Sequence, residues 1–469
     1  MPLLLVGLSL VVAEARPSIP AADKAAGARA DTALRKAFGG RYVGEQTRYV
    51  GEVGKRVAAQ AGIAGGADEF TVTLLNSPVE NAFALPGGYV YVTRQLLALM
   101  NSEAQLAGVM GHEVGHVVAR HEAGRRRASA IARLLGLLVT AMAGDDVAGS
   151  VIGLVGRVAG QLYALKYGRD QEYAADRLGL GYMTAAGYSP CAAASMLAQL
   201  DAETTLNARI AGRESEVVPA WAATHPNGQE RVRRATRLAA ATGKAEMPAA
   251  QDVAFLRRLD GLLYDDDPGD GVVEGQTFRQ PRLRVRLTAP QGYRITRFGR
   301  AVHVAGPAGV ARFARTIQTK DPMVALTARL RSIGMRGSAE ATRGVSGGLP
   351  WAAITVPGYA GGRALDVTIV AYRLAAATVR LDIFTPRGTG AGAFQLLIDS
   401  VAPLTEAEVA AVPAKRIRIV TVAPGDTVDG LAQRMAYPTF RRERFLTLNG
   451  LAEDATLAPG MLVKVVAAR

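Results

Sequence analysis

Cysteine is almost missing from this chain: of 469 residues, only Cys191 is one. A lone thiol excludes an intrachain disulfide and any thiolate-rich metal site. Histidine is nearly as scarce, with five in all. Aromatic residues make up 6%, charged residues 20% and hydrophobic residues 49%, which excludes both a disordered tail and a polytopic membrane protein. Clean apolar runs are missing too. The stretch ARLLGLLVTAMAGDDVAGSVIGLVGRVAGQLYAL is broken at Gly144-Asp145-Asp146 and carries Arg133 and Arg157. Neither half offers the ~20 apolar residues of a bilayer span. Two buried helices fit it, and so does a hairpin resting on a membrane surface through residues 131–165, with Arg125-Arg126-Arg127 just upstream. The 52 glycines follow no period, which excludes a collagen-like chain.

Acidic residues are in deficit, 41 against 55 basic ones, for a net charge of +14. So basic a chain suits an anionic partner: nucleic acid, membrane or cell-wall polymer. No zinc-finger, homeodomain or RNA-recognition signature is present, and no aromatics interleave a basic stripe, so nucleic acid is not expected. At the N-terminus, an apolar run from Leu3 to Val12 precedes Ala13-Glu14-Ala15, an A-x-A-like cleavage site. The positive leader of a signal peptide is lacking, so residues 1–15 read as a truncated export signal. The expected location is the periplasm or cell envelope. No cysteine follows for a lipoprotein anchor.

Residues 16–40, rich in Ala, Pro and charge, read as a mobile leader. From Tyr42 to Gln60 the pattern suits an amphipathic helix. Phe70–Ser77 suits a strand, and NAFALPGGYVYVT a hairpin turning at Pro86-Gly87-Gly88. Ser102 or Asn101 can cap a helix that runs into GHEVGHVVARHE. Near Asp265–Gly271 the acidic DDDPGDG reads as a solvated turn or linker. Alternating runs beyond it form a β-rich domain over 274–412, and a third unit covers 415–469.

GHEVGHVVARHE holds three of the five histidines. His112, Glu113 and His116 spell H-E-x-x-H, and positions four apart on a helix share a face, so both imidazoles can reach one ion. Glu113 stands about 100° round the helix, beside the open coordination position rather than in it. Gly111 and Gly115 admit a neighbouring backbone. Catalytic zinc wants a third protein ligand and a position for water. The pattern H-E-x-x-H-x-x-G-x-x-H does not supply it, because Ala119 and Glu122 stand where glycine and histidine are needed. His121 is off register on a continued helix and reads as a surface or packing residue. Glu172, in RDQEYAADRLG, is the best candidate, with Asp176 one turn on to orient an imidazole.

Taken in order, NAFALPGGYVYVTRQLL, AQLAGVMGHEVGHVVARH, RDQEYAADRLG and THPNGQERV resemble the H-E-x-x-H zinc peptidases of the HtpX/CAAX-prenyl-protease type, nearest the exported BepA-like branch. The resemblance covers about residues 35–240. It implies a gluzincin fold over 41–265, one Zn²⁺ held by His112, His116 and Glu172, and Glu113 as general base. Asp176 falls at the family's second-layer aspartate. His225 matches a histidine that in this branch caps the zinc or stabilises an oxyanion. A satisfied loop histidine is the alternative reading of His225. Arg231 and Arg234 follow one turn apart and can meet a carboxylate or line a solvated face. Asn81, Ala82, Phe83 and Ala84 would offer a strand edge to an extended polypeptide.

Two further stretches, IVTVAPGDTVDGLAQRM and RFLTLNGLAEDATLAPGMLVKVV, resemble a LysM module, a βααβ unit. The resemblance implies binding to peptidoglycan, with Gly425, Asp426 and Thr427 facing the sugar. The expected fold class is therefore α+β: a mainly helical peptidase domain with a small edge sheet, a β-rich α+β domain and a βααβ module. The expected function is zinc-dependent endopeptidase action on unfolded or misassembled envelope proteins. The alternative is a periplasmic chaperone or binding scaffold that keeps a peptidase shell and cleaves little.

Overall fold

The structure, a computed structural model, describes residues 16–121, 167–210, 221, 224–225, 228–243, 252–298, 301–315, 319–334, 340–360, 363–375 and 377–468. The expected export signal at 1–15 and the apolar excursion at 131–165 lie outside the described residues. Among the described residues, no helix is long and apolar enough to cross a membrane.

The first unit is mainly helical around one small sheet. Its elements are α1 (Ala21–Ala37), α2 (Glu45–Ala58), β1 (Thr71–Leu75), β2 (Ala82–Leu85), β3 (Tyr89–Thr93), α3 (Arg94–Leu99), α4 (Glu103–Val118), α5 (Arg169–Ala185), α6 (Cys191–Ile210), α7 (Gly228–Ala241) and α8 (Val253–Leu259). The sheet order is β1-β3-β2, with β1 parallel and β2 antiparallel to β3. The expected hairpin turns through Gly87 and Gly88, both left-handed at φ 86° and 87°, a conformation that glycine adopts without a Cβ clash.

One face of the sheet packs on α2 and α4 through Val53, Leu74, Val90, Val92 and Leu106. The other is covered by α1, where Ala30, Leu34 and Ala37 meet Leu75, Phe83 and Tyr91. Residues 16–40 are thus not a mobile leader. Ala30, Leu34 and Ala37 recur at helical spacing and bury a stripe against the sheet; the Ala-rich composition hid that stripe. Helix α4 starts where expected, with the Ser102 hydroxyl accepting from Gln105 N–H at 3.2 Å, a side-chain N-cap.

The middle domain is built on a seven-stranded sheet of order β10-β11-β12-β13-β9-β8-β7, beside a four-stranded sheet β14-β6-β5-β4. Its strands are β4 (Val272–Glu274), β5 (Thr277–Gln280), β6 (Val285–Thr288), β7 (Arg294–Phe298), β8 (Ala301–Gly306), β9 (Gly309–Arg315), β10 (Thr342–Ser346), β11 (Leu349–Ala360), β12 (Arg363–Arg373), β13 (Thr378–Pro386) and β14 (Ala402–Pro403). Helix α9 (Pro322–Ser332) lies on one face through Leu326 and Leu330. Helix α10 (Gln395–Ser400) and the smaller sheet fill the other through Leu397, Phe278 and Leu287.

The last unit runs β15 (Lys415–Thr421), α11 (Val428–Ala432), α12 (Arg441–Asn449) and β16 (Leu462–Ala468), the two strands pairing antiparallel. This is the expected βααβ order. It does not stand apart. Ile417, Phe445, Val463 and Val466 share one apolar cluster with Val53, Leu99 and Phe255 of the first unit. Ile417 N–H donates to Leu262 C=O at 2.9 Å, and Gly261 N–H to Ile417 C=O at 2.8 Å.

The acidic stretch near Asp265 is no solvated linker either. The Asp265 carboxylate accepts from Lys415 at 2.9 Å and from the Tyr437 hydroxyl at 2.7 Å. Asp266 pairs with Arg297 at 2.8 Å, and Asp267 accepts from Asn76 at 2.6 Å. The buried Arg94 guanidinium donates to the backbone carbonyls of Leu263 and Asp265. Ion pairs and hydrogen bonds to all three units turn an apparent linker into a junction.

Candidate metal centre

Helices α4 and α5 touch at backbone distance because glycines face each other. A Cβ on Gly179 would come within 2.5 Å of His112 N, and one on Gly111 within 2.6 Å of Gly179 O. That approach is what brings Glu172 of α5 to the histidines of α4. Gly179→Ala is expected to wedge the helices apart, at about 1–3 kcal/mol. The check is a lower unfolding temperature together with reduced metal retention after gel filtration.

Four donor groups then converge. His112 Nε2 and His116 Nε2 lie 3.0 Å apart, and His225 Nδ1 is 3.2 Å from His112 Nε2. Glu172 places Oε2 3.5 Å from His112 Nε2 and Oε1 3.4 Å from His116 Nε2. His225 Nδ1 is 3.2 Å from both Glu172 oxygens. All four are buried, and one atom from each lies within 4.8 Å of the others.

The protonation pattern explains why a cation belongs there. Asp176 Oδ1 is 2.9 Å from His112 Nδ1 and accepts its proton, so His112 Nε2 presents a lone pair to the other nitrogens and the carboxylate. Facing lone pairs and a buried carboxylate repel one another unless a cation or a proton lies between them. Neutral imidazoles with one carboxylate are the donor set of zinc-class ions. The residues fit the metal.

Outer groups hold the donors in place. Arg231 of α7 is fully buried; its Nε and Nη2 donate to Asp176 at 2.8 and 2.6 Å. Its Nη1 lies 2.8 Å from Glu172 Oε2, an ion pair outside hydrogen-bond geometry. Burial opposes ionisation of Glu172, but His225 and Arg231 overcome it and hold its pKa well below the usual value. Asp176 is held down in the same way, burial being outweighed by Arg231 and His112. Burial pushes His116 well below the usual histidine value, leaving it neutral as a metal ligand must be. Of the two arginines one turn apart, Arg231 meets the carboxylates, while Arg234 lies over the Tyr173 ring at 4.1 Å.

His121 corrects a sequence expectation. Helix α4 stops at Val118, and Arg120 turns left-handed at φ 50°. The chain doubles back and puts His121 Nδ1 3.0 Å from His116 Nδ1. The expectation assumed a continuing helix; the early stop makes His121 the outer partner of a candidate ligand. Two aromatic residues also escaped notice. Tyr167 stacks on His116 with centroids 3.6 Å apart, and Trp221 stacks on His225 at 4.2 Å. Neither belongs to a motif of its own, so only the fold could place them.

Glu113 is fully buried, and neither carboxylate oxygen has a hydrogen-bond partner. His225 Nε2 lies 3.6 Å from its Oε1. Burial raises its pKa above the ordinary carboxylate value, against the pull of His225 and His112. An orphaned carboxylate of that kind is a proton acceptor waiting for a donor.

Asn81, Ala82, Phe83 and Ala84 sit at the free edge of the small sheet but are all buried. Thr93 N–H donates to Asn81 C=O, and pairing alternates from there. The backbone groups of Ala82 and Ala84 therefore point away from β3, and Ala82 C=O lies 3.3 Å from His225 Nε2. The Phe83 side chain packs against Phe38 and Tyr91 instead of facing the edge. In the last unit, Asp426 accepts from Ala423 N–H at 2.8 Å and Thr427 caps α11 through Gly430 N–H at 3.1 Å. Both side chains shape their own loop, together with the exposed Gly425.

The geometry agrees with the chain's likenesses. Residues 45–239 match the model of Peptidase family M48. The mitochondrial metalloendopeptidase OMA1 of Schizosaccharomyces pombe is 33% identical over 189 residues, covering 40% of this chain and 51% of that protein. The beta-barrel assembly-enhancing protease of Escherichia coli K12 is 30% identical over 193 residues, covering 40% of this chain and 37% of that one. The chain thus spans about half or less of the curated relatives it matches.

Proposed function

We propose, from the match of residues 45–239 to the model of Peptidase family M48, that the chain is a zinc-dependent endopeptidase. The observation that carries this is the convergence of His112, His116 and Glu172 beside an unpartnered, buried Glu113. One Zn²⁺ per chain would be held by His112, His116 and Glu172. When bound, such an ion polarises a carbonyl oxygen and eases the ionisation of water.

The chain's own groups do the rest. Glu113 takes the proton of the attacking water and returns it to the leaving amine. Asp176 fixes the tautomer of His112, and Arg231 fixes both carboxylates. An extended polypeptide adds along β2 through the outward backbone groups of Ala82 and Ala84. In the present arrangement His225 lies against both Ala82 C=O and the ligand cluster. Its departure would free the strand edge and open the ligand cluster together, so one movement would admit substrate and water. As an added donor His225 would restrain activity; displaced, its ring would be available to an oxyanion.

Substrates entering as extended strands are unfolded or misassembled chains, since folded ones rarely free such a segment. The relatives named for β-barrel assembly support a place in the periplasm or cell envelope, in protein quality control. The βααβ order supports a LysM-like contact with peptidoglycan through the loop at Gly425, Asp426 and Thr427, and the segment 131–165 is a candidate for peripheral membrane contact. The second reading, a scaffold that cleaves little, is favoured by the buried position of His225 at the site.

Metal analysis followed by casein turnover decides between them. One zinc per chain and cleavage abolished by chelator, then restored by zinc, is the expected result. Full metal content without turnover, in the wild type and in His225→Ala, selects the scaffold.

A further inference from the structure

The middle domain buries an arginine, Arg312, that forms no ion pair among the described residues. Across the seven-stranded sheet, Asp382 on β13, Arg312 on β9 and His303 on β8 are successive cross-strand neighbours. They therefore project from one face, the face on which α9 lies. Arg329 of α9 meets Asp382 at 3.1 Å, and Arg380 meets the same carboxylate at 2.5 and 3.0 Å. Among the described residues Asp382 is the one carboxylate recorded against this group, and two other arginines already occupy it. Arg312 is only 8% exposed, and its Nε and Nη1 have no hydrogen-bond partner. The surroundings are apolar: Val310, Leu326, Leu330, Ile369 and Phe384.

Arg329 and Arg380 share the Asp382 carboxylate, and Arg312 stands beside them in an apolar layer with two guanidinium nitrogens unpartnered. Water-free burial of an unpaired guanidinium is unfavourable, and buried charges are ordinarily paired. Arg312 cannot escape by losing its proton, because a guanidinium stays charged at any physiological pH. A ligand that brings acceptor oxygens and negative charge satisfies both deficits. Guanidinium forks match carboxylate and phosphate groups in shape as well as charge. His303, buried beside Arg312 and held near pKa 4 by burial and that charge, is neutral and so able to donate one further hydrogen bond.

We propose that Arg312, with His303 and the Arg329–Asp382–Arg380 cluster, forms a binding site for an oxyanion, either a carboxylate or a phosphate group. The site lies in a domain outside the family match at 45–239 and gives that domain a ligand-binding role of its own.

The test is equilibrium dialysis of the metal-loaded full-length protein against sodium phosphate and, separately, sodium acetate. Sodium chloride of matched ionic strength is the background. Saturable binding of one anion per chain is expected, weakened about tenfold or more in Arg312→Met, a difference of roughly 1.4 kcal/mol. Binding of phosphate alone identifies a phosphate ligand, and binding of acetate alone a carboxylate. Binding that is undiminished in Arg312→Met belongs to the metal centre and overturns the proposal. So does the absence of saturable binding of either anion to the wild type. If Arg312→Met does not fold, Arg312→Lys replaces it: the charge stays, the fork is lost, and affinity must still fall.

Discussion

Glu113→Gln is expected to yield a protein that keeps its metal and loses its turnover. Glutamine has the size and shape of glutamate, and both Glu113 oxygens lack partners, so the exchange breaks no hydrogen bond. Glu113 stands beside the donor cluster without joining it, so zinc content should match the wild type. What disappears is the proposed acceptor of water's proton. Loss of a positioned general base costs about 10²–10⁴-fold in rate, with KM little changed if substrate binds along β2 as proposed.

His112→Ala is the natural companion, expected to lose metal and turnover together. The contrast between them separates a catalytic carboxylate from a structural one. Normal casein turnover by Glu113→Gln at full metal occupancy would remove Glu113 from the mechanism.

Much of this centre could be read from the residues alone, and the reason is local geometry. His112 and His116 share a helix, so their spacing fixes their relation before any tertiary contact forms. Ser102, the Pro86-Gly87-Gly88 turn and the alternating strands beyond residue 274 were legible for the same reason. Glu172 and Asp176 needed a second helix to dock, and the small residues around them hinted at how closely it would. His121 could not be read, because nothing in ARHE marks the stop at Val118. The helix there ends without glycine or proline.

Burial was harder to read than placement. The edge at Ala82 was foreseen, but its closure by His225 depends on a loop that packs only in the folded state. Helix α1 was missed because alanine supplies little hydrophobic contrast along a helix. The acidic junction misled because its partners, Lys415, Tyr437, Asn76 and Arg297, lie far away in sequence. The unpaired charge of Arg312 is invisible in RFARTIQ, where it reads as the polar member of an alternating strand.

Removing residues 415–469 is expected to abolish soluble folding of the peptidase, although the stretch reads as a detachable module. Truncation would uncover the apolar surface that Ile417, Phe445, Val463 and Val466 bury against the first unit. It would also free Gln199, which donates to Leu99 C=O at 2.7 Å and to Thr447 C=O at 2.9 Å. The sharpest single contact is Lys464 on β16, which is fully buried. Its Nζ donates to the carbonyls of Ala98, Leu99 and Met100 at 2.8, 3.0 and 2.7 Å.

Those carbonyls close helix α3, two residues before the N-cap of α4, and a cation at a helix C-terminus is favoured by the helix dipole. Burial pushes the Lys464 pKa well down, against Glu203, yet three carbonyls around one amine match the three N–H groups of its protonated form. Lys464→Met keeps the apolar stem and leaves the acceptors short of donors. It should cost about 3–5 kcal/mol, read as a fall in unfolding temperature of the full-length protein.

Lys464→Arg, too bulky for the same three carbonyls, should restore little of it. The catalytic helix begins only a few residues away, so metal retention should weaken along with stability. A chain ending at residue 414 that is monodisperse, folds at the wild-type temperature and cleaves casein would show the opposite. The last unit would then be cargo, and the catalytic helix would need no support from it.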